Sequence, residues 1–426
     1  VIVFLRPLGL RLDFPAPLHL LRNDLDVLEL WHGPTCAFKD MALQILPQFL
    51  TKAVKKTGEQ KKLVILVATS GDTGKAAMAG FADVPETEVI VFYPQEGVSA
   101  VQKLQMVTQR GANVHAVAVE GNFDDAQTGV KILFGSKELG EELKKHGCAF
   151  SSANSINWGR LVPQIVYYFS AYADAVNSGR IENGTAINFA VPTGNFGDIL
   201  AGYYAKLMGL PVNKFICASN SNNVLTDFFN TGTYNRNRAF HKTISPSMDI
   251  LVSSNLERLL FEETGHDAPQ IAAWMQELMD KGDYTVGSAL QNQILKDFFG
   301  TWVDEVETRE TIGDVFNNYN YVLDPHTAVA YKAMEKYRTM TSDPTYSIVL
   351  STASPFKFND VVLASINPDA YEGKVLDPFE AMQQLSQLSK LPIPKSMEEL
   401  PGLAVRQSDV VTKSGLKAEV QKILGL

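Results

Sequence analysis

Lys39 is the next-to-last residue of the stretch His32-Gly33-Pro34-Thr35-Cys36-Ala37-Phe38-Lys39-Asp40, just where an apolar helix begins with Met41, Leu43, Ile45 and Leu46. A helix N-terminus carries positive potential, so it is a poor place for a solvated cation. Held in a semi-buried pocket there, a lysine has its charged form disfavoured. That is the condition under which an amine forms a Schiff base with an aldehyde. The plain alternative for a lone lysine is a surface residue in a first helical turn, but apart from Asp40 its neighbours are not those of a solvated face.

Three further loops follow apolar strand-like runs. Ala68-Thr69-Ser70-Gly71-Asp72-Thr73-Gly74-Lys75 superficially suggests a nucleotide-binding P-loop. That pattern needs a glycine where Thr69 stands and a hydroxyl where Ala76 stands, so it is rejected. What remains is a hydroxyl-rich turn into a helix, suited to a small anion such as a carboxylate. Pro192-Thr193-Gly194-Asn195-Phe196-Gly197-Asp198 also joins a strand to a helix. Its glycines allow close backbone approach to a phosphate. In Leu350-Ser351-Thr352-Ala353-Ser354-Pro355 a strand-end hydroxyl is placed to meet an aromatic nitrogen without bringing charge.

The elements that must position these loops are those of a parallel sheet. Leu63–Val67, Val89–Tyr93 and Asn113–Val119 read as buried strands. Helical spacing over Lys75–Phe81, Ser99–Gln109 and Phe123–Leu139 alternates with them. A second block has a long apolar helix over Leu161–Val176, with Pro163 tolerable only in its first turn. It continues with strands at Ala186–Val191 and Phe215–Ala218, a helix over Phe196–Met208, and a late strand at Tyr346–Leu350. The polar stretch 221–320 reads as helices and excursions, and the tail after Pro378 as helical pieces set apart by prolines. Open α/β sheets bind ligands at the carboxyl ends of their strands, which is where all these loops lie.

With 426 residues, two domains are expected. Lys+Arg number 38 against 47 Asp+Glu, a net charge of −9, which argues against a general nucleic-acid binder. The apolar run Val1–Leu10 is too short to span a bilayer. Cys36, Cys148 and Cys217 are far apart and odd in number, so neither a disulfide framework nor a metal site is expected, and a cytoplasmic setting is the default.

In this order the loops resemble those of threonine synthases, pyridoxal-phosphate enzymes of the tryptophan-synthase-β type. HGPTCAFKD, ATSGDTGKAA, SSANSINWGR, VPTGNFGD and LSTASPFKF carry the resemblance, from Phe14-Pro15-Ala16-Pro17 to about residue 365. SGDTG and GNFG fit the microbial and fungal form. The resemblance implies an α/β protein of fold type II: two open, mainly parallel sheets flanked by helices, with the active site between the domains. Residues 1–59 plus 155–426 would form the large cofactor-binding domain with a C-terminal helical extension. Residues 60–154 would form the smaller one.

It further implies a carbon–oxygen lyase converting O-phospho-L-homoserine and water to L-threonine and phosphate. Lys39 would carry pyridoxal 5′-phosphate and serve as acid and base. Gly194, Asn195, Phe196 and Gly197 would cradle the cofactor phosphate. Asp72 would sit by its 3′-oxygen, and Thr352 would meet its ring nitrogen. Ser70, Gly71 and Thr73 would hold the substrate carboxylate; Asn154, Ser155, Asn157 and Arg160 would hold its phosphate. The residues agree with the resemblance at Arg160, because an acidic protein that binds the implied dianion needs a planar bidentate donor. A monomer or homodimer with no membrane or nucleic-acid partner is expected. Alternatives are a serine/threonine dehydratase, a phospho-lyase that stops after elimination, or an inactive cofactor-binding relic.

The resemblance implies a further N-terminal segment before FPAP, which is expected to be missing from this sequence. The family's TAHPAKF is replaced by Thr352-Ala353-Ser354-Pro355-Phe356-Lys357-Phe358. Cys36, His32 and His326 read as structural, and Asn220-Ser221-Asn222-Asn223 as a loop or helix cap. Tyr167-Tyr168-Phe169 reads as helix packing.

Overall fold

A computed structural model describes residues 15–95, 98–371 and 373–426. Phe14 and the apolar run Val1–Leu10 lie outside them. The chain divides into two compact units. One holds the described residues up to Trp31 together with Gln164–Leu391; the other holds His32–Pro163 and Pro392–Leu426.

The second unit is built on a five-stranded, all-parallel sheet. Its order is Val410–Val411, Val114–Val119, Thr87–Pro94, Lys62–Ala68, Cys148–Ser152. Strand side chains alternate between faces, and here both faces are apolar. Ile65, Val67, Val89 and Val91 pack on one side with Phe81 and Met106. Val64, Leu66, Ile90 and Phe92 pack on the other with Leu133 and Leu139. Burying each such side chain stabilises the unit by roughly 1.5–3 kcal/mol.

Three sequence expectations need correction here. Residues 32–59 belong with this unit, because helices Asp40–Leu43 and Leu46–Thr57 pack on helix Asp72–Phe81. The contact is so close that a Cβ on Gly80 would lie 2.0 Å from the Leu43 carbonyl oxygen. The C-terminal residues 392–426 belong with it too, because Val410–Val411 extends the sheet beside Ala118 and Val119. The helical stretch at 123–139 is two helices, Phe123–Gly135 and Lys137–Lys145, since the Ser136 side chain caps the second by accepting the Leu139 N–H.

The first unit carries a six-stranded sheet. Its order is Leu18–Arg22, Leu25–Glu29, Ser347–Ser351, Ile187–Pro192, Val212–Ser219, Phe298–Trp302. Only the first pair is antiparallel. Phe298–Trp302, the edge strand, falls in the stretch that had been read only as helices and excursions. Tyr168, Phe189, Phe215 and Phe298 interlock on this sheet, with Phe189 and Phe215 stacked at 6.2 Å. Helix Gly197–Leu207 presses onto it at Gly202, where a Cβ would lie 2.7 Å from both Tyr168 and Phe215.

The long helix runs over Trp158–Asn177 and so begins earlier than its apolar run suggested. Asn157 Oδ1 accepts the Gly159 N–H and caps that start. Pro163 therefore sits in the second turn rather than the first. Among the described residues no helix is long and apolar enough to cross a membrane, and no group of three or more His, Cys, Asp or Glu could hold a metal.

Candidate active site

Lys39 follows a loop locked by its neighbour. Asp40 is fully buried and accepts the Thr35 N–H (2.8 Å) and hydroxyl (2.7 Å). Gly33 lies so close that a Cβ there would sit 2.5 Å from Asp40. Cys36 takes the left-handed conformation (φ 58°), buried, with its Sγ 3.5 Å from Ser396 Oγ. The clasp delivers Lys39 to the position just ahead of helix Asp40–Leu43 with only 7% of it exposed. Its Nζ donates to Asp72 Oδ2 at 3.2 Å, forming a buried ion pair. The sequence suggested an amine whose charge is merely disfavoured; the structure adds a carboxylate that compensates its burial.

Asp72 opens helix Asp72–Phe81 behind Gly71, whose φ of 134° and tight fit against Gln102 leave no room for a side chain. Thr69 Oγ1 accepts the N–H groups of Gly71 and Gly74 at 2.9 Å, which shapes the turn. Ser70 and Thr73 stand partly exposed on it, and neither hydroxyl bonds to a described residue. Lys75, the lysine of the rejected P-loop reading, pairs with Gln109. The sequence reading missed Gln102. Its Nε2 donates to Asp72 Oδ1 at 2.8 Å. The available signal was Ser99-x-x-Gln102, a capping box at the start of helix Ala100–Val107.

Asn154, Ser155 and Asn157 lie in the turn between strand Cys148–Ser152 and helix Trp158–Asn177, and Arg160 in the first turn of that helix. Arg160 is 3% exposed, and its guanidinium donates to the Ala153 carbonyl at 2.6 Å. Asn154 Nδ2 reaches the Ala68 carbonyl (3.3 Å), tying this turn to the end of the strand before Ser70. Asn157 is committed to the turn at both ends of its amide: Nδ2 donates to the Ser152 carbonyl (2.7 Å), while Oδ1 caps the helix.

The first unit brings together its own set. Gly194, Asn195 and Phe196 form the turn into helix Gly197–Leu207, with Phe196 buried in the left-handed region (φ 62°). No acceptor among the described residues takes the N–H of Gly194, Asn195, Phe196 or Gly197. The turn is braced from behind. Asn255 Nδ2 donates to the Asn195 carbonyl (2.9 Å) and Ser254 Oγ to Asn195 Oδ1 (3.1 Å). A Cβ on Gly194 would lie 3.0–3.1 Å from Ile250, Met248 and Ser247.

Asp249 fixes that segment by accepting from Asn220 (2.8 Å), Asn222 (3.0 Å) and Thr243 (2.7 Å), so the Asn220 run is a buried anchor rather than a cap. Burial raises the Asp249 carboxyl above its ordinary range despite these donors. His326 is structural: Nε2 accepts the Ser247 N–H (3.2 Å) and Nδ1 lies 2.8 Å from Asp324. Tyr167 and Tyr168 pack on each other and also donate to Asp198 Oδ1, at 2.5 and 2.9 Å. Thr352, 6% exposed, follows strand Ser347–Ser351, and its hydroxyl bonds to no described residue. Ser354 starts the tight turn Pro355–Phe358 by accepting the Phe356 N–H.

Residues 17–289 match the family described as pyridoxal-phosphate dependent enzyme, and residues 327–411 match the threonine synthase C-terminal family. The threonine synthase of Pseudomonas aeruginosa is 43% identical over 350 residues, covering 82% of this chain and 71% of its own. The chain belongs to the threonine synthase family. Human threonine synthase-like 1 is 42% identical over 358 residues, covering 82% of this chain; the chain spans about half the length, 47%, of that relative. The crystal structure of a PLP-bound threonine synthase from Brucella melitensis superposes with a TM-score of 0.81 at 37% identity, over 96% of this chain and 81% of that one. The fold is thus the type II α/β fold of these enzymes. The donors described above fit the cofactor that names the family. A buried primary amine suits its aldehyde, and untaken N–H groups at a helix N-terminus suit its phosphate.

Proposed function

We propose that this chain is a threonine synthase, a lyase that converts O-phospho-L-homoserine and water to L-threonine and phosphate with pyridoxal 5′-phosphate. The observation that carries the reading is Lys39: a buried amine, ion-paired with Asp72, at the head of a helix in a locked loop. Relatives about 40% identical over most of the chain support the reaction class.

When bound, pyridoxal phosphate supplies an electron sink for carbanion chemistry at the substrate's α-carbon. Lys39 is its attachment point, the base that takes the Cα proton, and the acid that returns one. Gly194, Asn195, Phe196 and Gly197 hold the cofactor phosphate through backbone N–H groups. Asp72 orients the amine and the cofactor's 3′-oxygen. The Thr352 hydroxyl meets the ring nitrogen without adding charge. Ser70, Gly71 and Thr73 receive the substrate carboxylate. Arg160, with Asn154, Ser155 and Asn157 shaping its turn, binds the substrate phosphate and stabilises charge on it as it leaves Cγ. The Cγ–O bond breaks with loss of a proton from Cβ; the hydroxyl of water then adds at Cβ and Cγ gains a proton, so that threonine and phosphate account for every atom. A monomer or homodimer working in the cytoplasm completes the proposal; the three free cysteines, all buried, support a reducing setting.

The test is to load the protein with pyridoxal phosphate, reduce it with borohydride and map the modified peptide, then assay O-phospho-L-homoserine for products. Label on Lys39 with equal phosphate and threonine supports the reading. A keto acid with ammonia instead of threonine, or label elsewhere, overturns it.

A further inference from the structure

We propose that Gln102 is a positioning residue for Asp72 and, through it, for Lys39; the inference rests on the proposed role of Lys39. Three hydrogen bonds run in series. The Ser99 N–H donates to Gln102 Oε1 (3.4 Å), Gln102 Nε2 donates to Asp72 Oδ1 (2.8 Å), and Lys39 Nζ donates to Asp72 Oδ2 (3.2 Å).

The first bond fixes which way the amide faces. An amide oxygen and nitrogen look alike in shape, but only the oxygen accepts the N–H of its own helix cap, so the nitrogen must face Asp72. Gln102 is 1% exposed, and its amide lies 2.6–2.9 Å from where a Gly71 Cβ would be, so it has no room to turn. The carboxylate of Asp72 is therefore held at one oxygen, which leaves the other aimed at the amine. A free carboxylate rotates about its last bond; this one is clamped.

Among the described residues the charged groups near Gln102 are the following. Asp72 faces it from helix Asp72–Phe81, with Lys39 beyond. On its own helix Lys103 is exposed, and Lys75 of the neighbouring helix is engaged with Gln109. Tyr93, from the strand packed with Met106, has its phenol held neutral by burial, which raises its pKa.

Glutamate is itself the usual partner in a capping box, so Gln102→Glu keeps the helix start while replacing the donor to Asp72 by a second carboxylate. Two carboxylates at that distance do not both ionise without cost, and one proton shared between them restores a donor. Gln102→Met removes the donor and brings nothing that titrates.

The experiment uses the cofactor-loaded protein. The visible absorbance of bound pyridoxal phosphate is titrated from pH 6 to 9, and phosphate release is measured over the same range. In Q102E the midpoint of the absorbance change moves up by about one pH unit, and turnover falls about tenfold at pH 8 with recovery toward pH 6. In Q102M turnover falls by a similar factor at both ends. A Q102E profile parallel to that of the parent protein, or parallel to that of Q102M, overturns the inference. If the parent protein itself carries no cofactor on Lys39, the functional reading fails; if it does and Q102E is unshifted, only this inference fails.

Discussion

The lysine loop and the glycine loop solve different problems with different materials. Around Lys39 the key grips are side chains: Thr35 on Asp40, Gln102 on Asp72, Asp72 on the amine. Around Gly194–Gly197 the donors are backbone N–H groups, and side chains act from behind, through Asn255, Ser254 and the Asp249 anchor. A single reactive amine must be aimed at one atom, so its partners have to be specific. A phosphate offers several equivalent oxygens, so a turn that presents several N–H groups holds it without one decisive residue. On the proposed function, the first unit would contribute chiefly backbone donors and the second chiefly side chains.

That contrast can be broken by substitution. Lys39→Ala is expected to remove both the visible absorbance of bound cofactor and all phosphate release; normal turnover in this variant would end the contrast outright. Arg160→Ala should weaken O-phospho-L-homoserine binding by about 2–5 kcal/mol, as when one partner of a buried charge contact is lost. Equilibrium binding measures it, and unchanged affinity removes Arg160 from the site.

On the side of the glycine loop, Asp249→Ala strands the buried donors of Asn220, Asn222 and Thr243. The expected cost is about 3 kcal/mol in urea unfolding, with faster loss of cofactor on dialysis. A cost below about 1 kcal/mol would show that the anchor does not stiffen the turn.

The smallest effect is expected at Asp343. Burial works to raise its carboxyl, but hydrogen bonds from Thr345, Tyr337 and Asn188 outweigh that and hold it down to about 2. A carboxyl depressed in the folded state stabilises above its unfolded value and loses that contribution as pH falls toward 2. The parent protein should therefore lose about 1 kcal/mol more than Asp343→Asn between pH 4 and 2, after solvent screening. Urea midpoints at the two pH values decide it.

Much of this was legible in the residues. Short β-branched runs gave the central strands of both sheets, because such strands are buried on both faces and must be apolar throughout. Phe298–Trp302 escaped notice because an edge strand with Gly300 and Thr301 lacks that run. Ser136 was read through because its neighbours keep the apolar period while its side chain ends it. At the site, Lys39 and Asp72 were marked by their loops, but that they touch is a matter of tertiary packing. Gln102 was hidden for the same reason: a glutamine near the start of a helix looks like capping, and its second bond joins residues thirty positions apart. Asn255 and Asp249 lay in the polar stretch 221–320, where no periodicity singles out a buried polar residue.

The pairing of Val410–Val411 with Ala118 and Val119 joins strands 291 residues apart (410 − 119). During synthesis at roughly 5–20 residues per second, the outer margin of the five-stranded sheet waits on the order of 15–60 s for its last neighbour. An unpaired margin of this kind is a template for another nascent chain. The ribosome-bound protein thus passes through an interval in which chaperone capture competes with misassembly, set by where in the message the final strand is encoded.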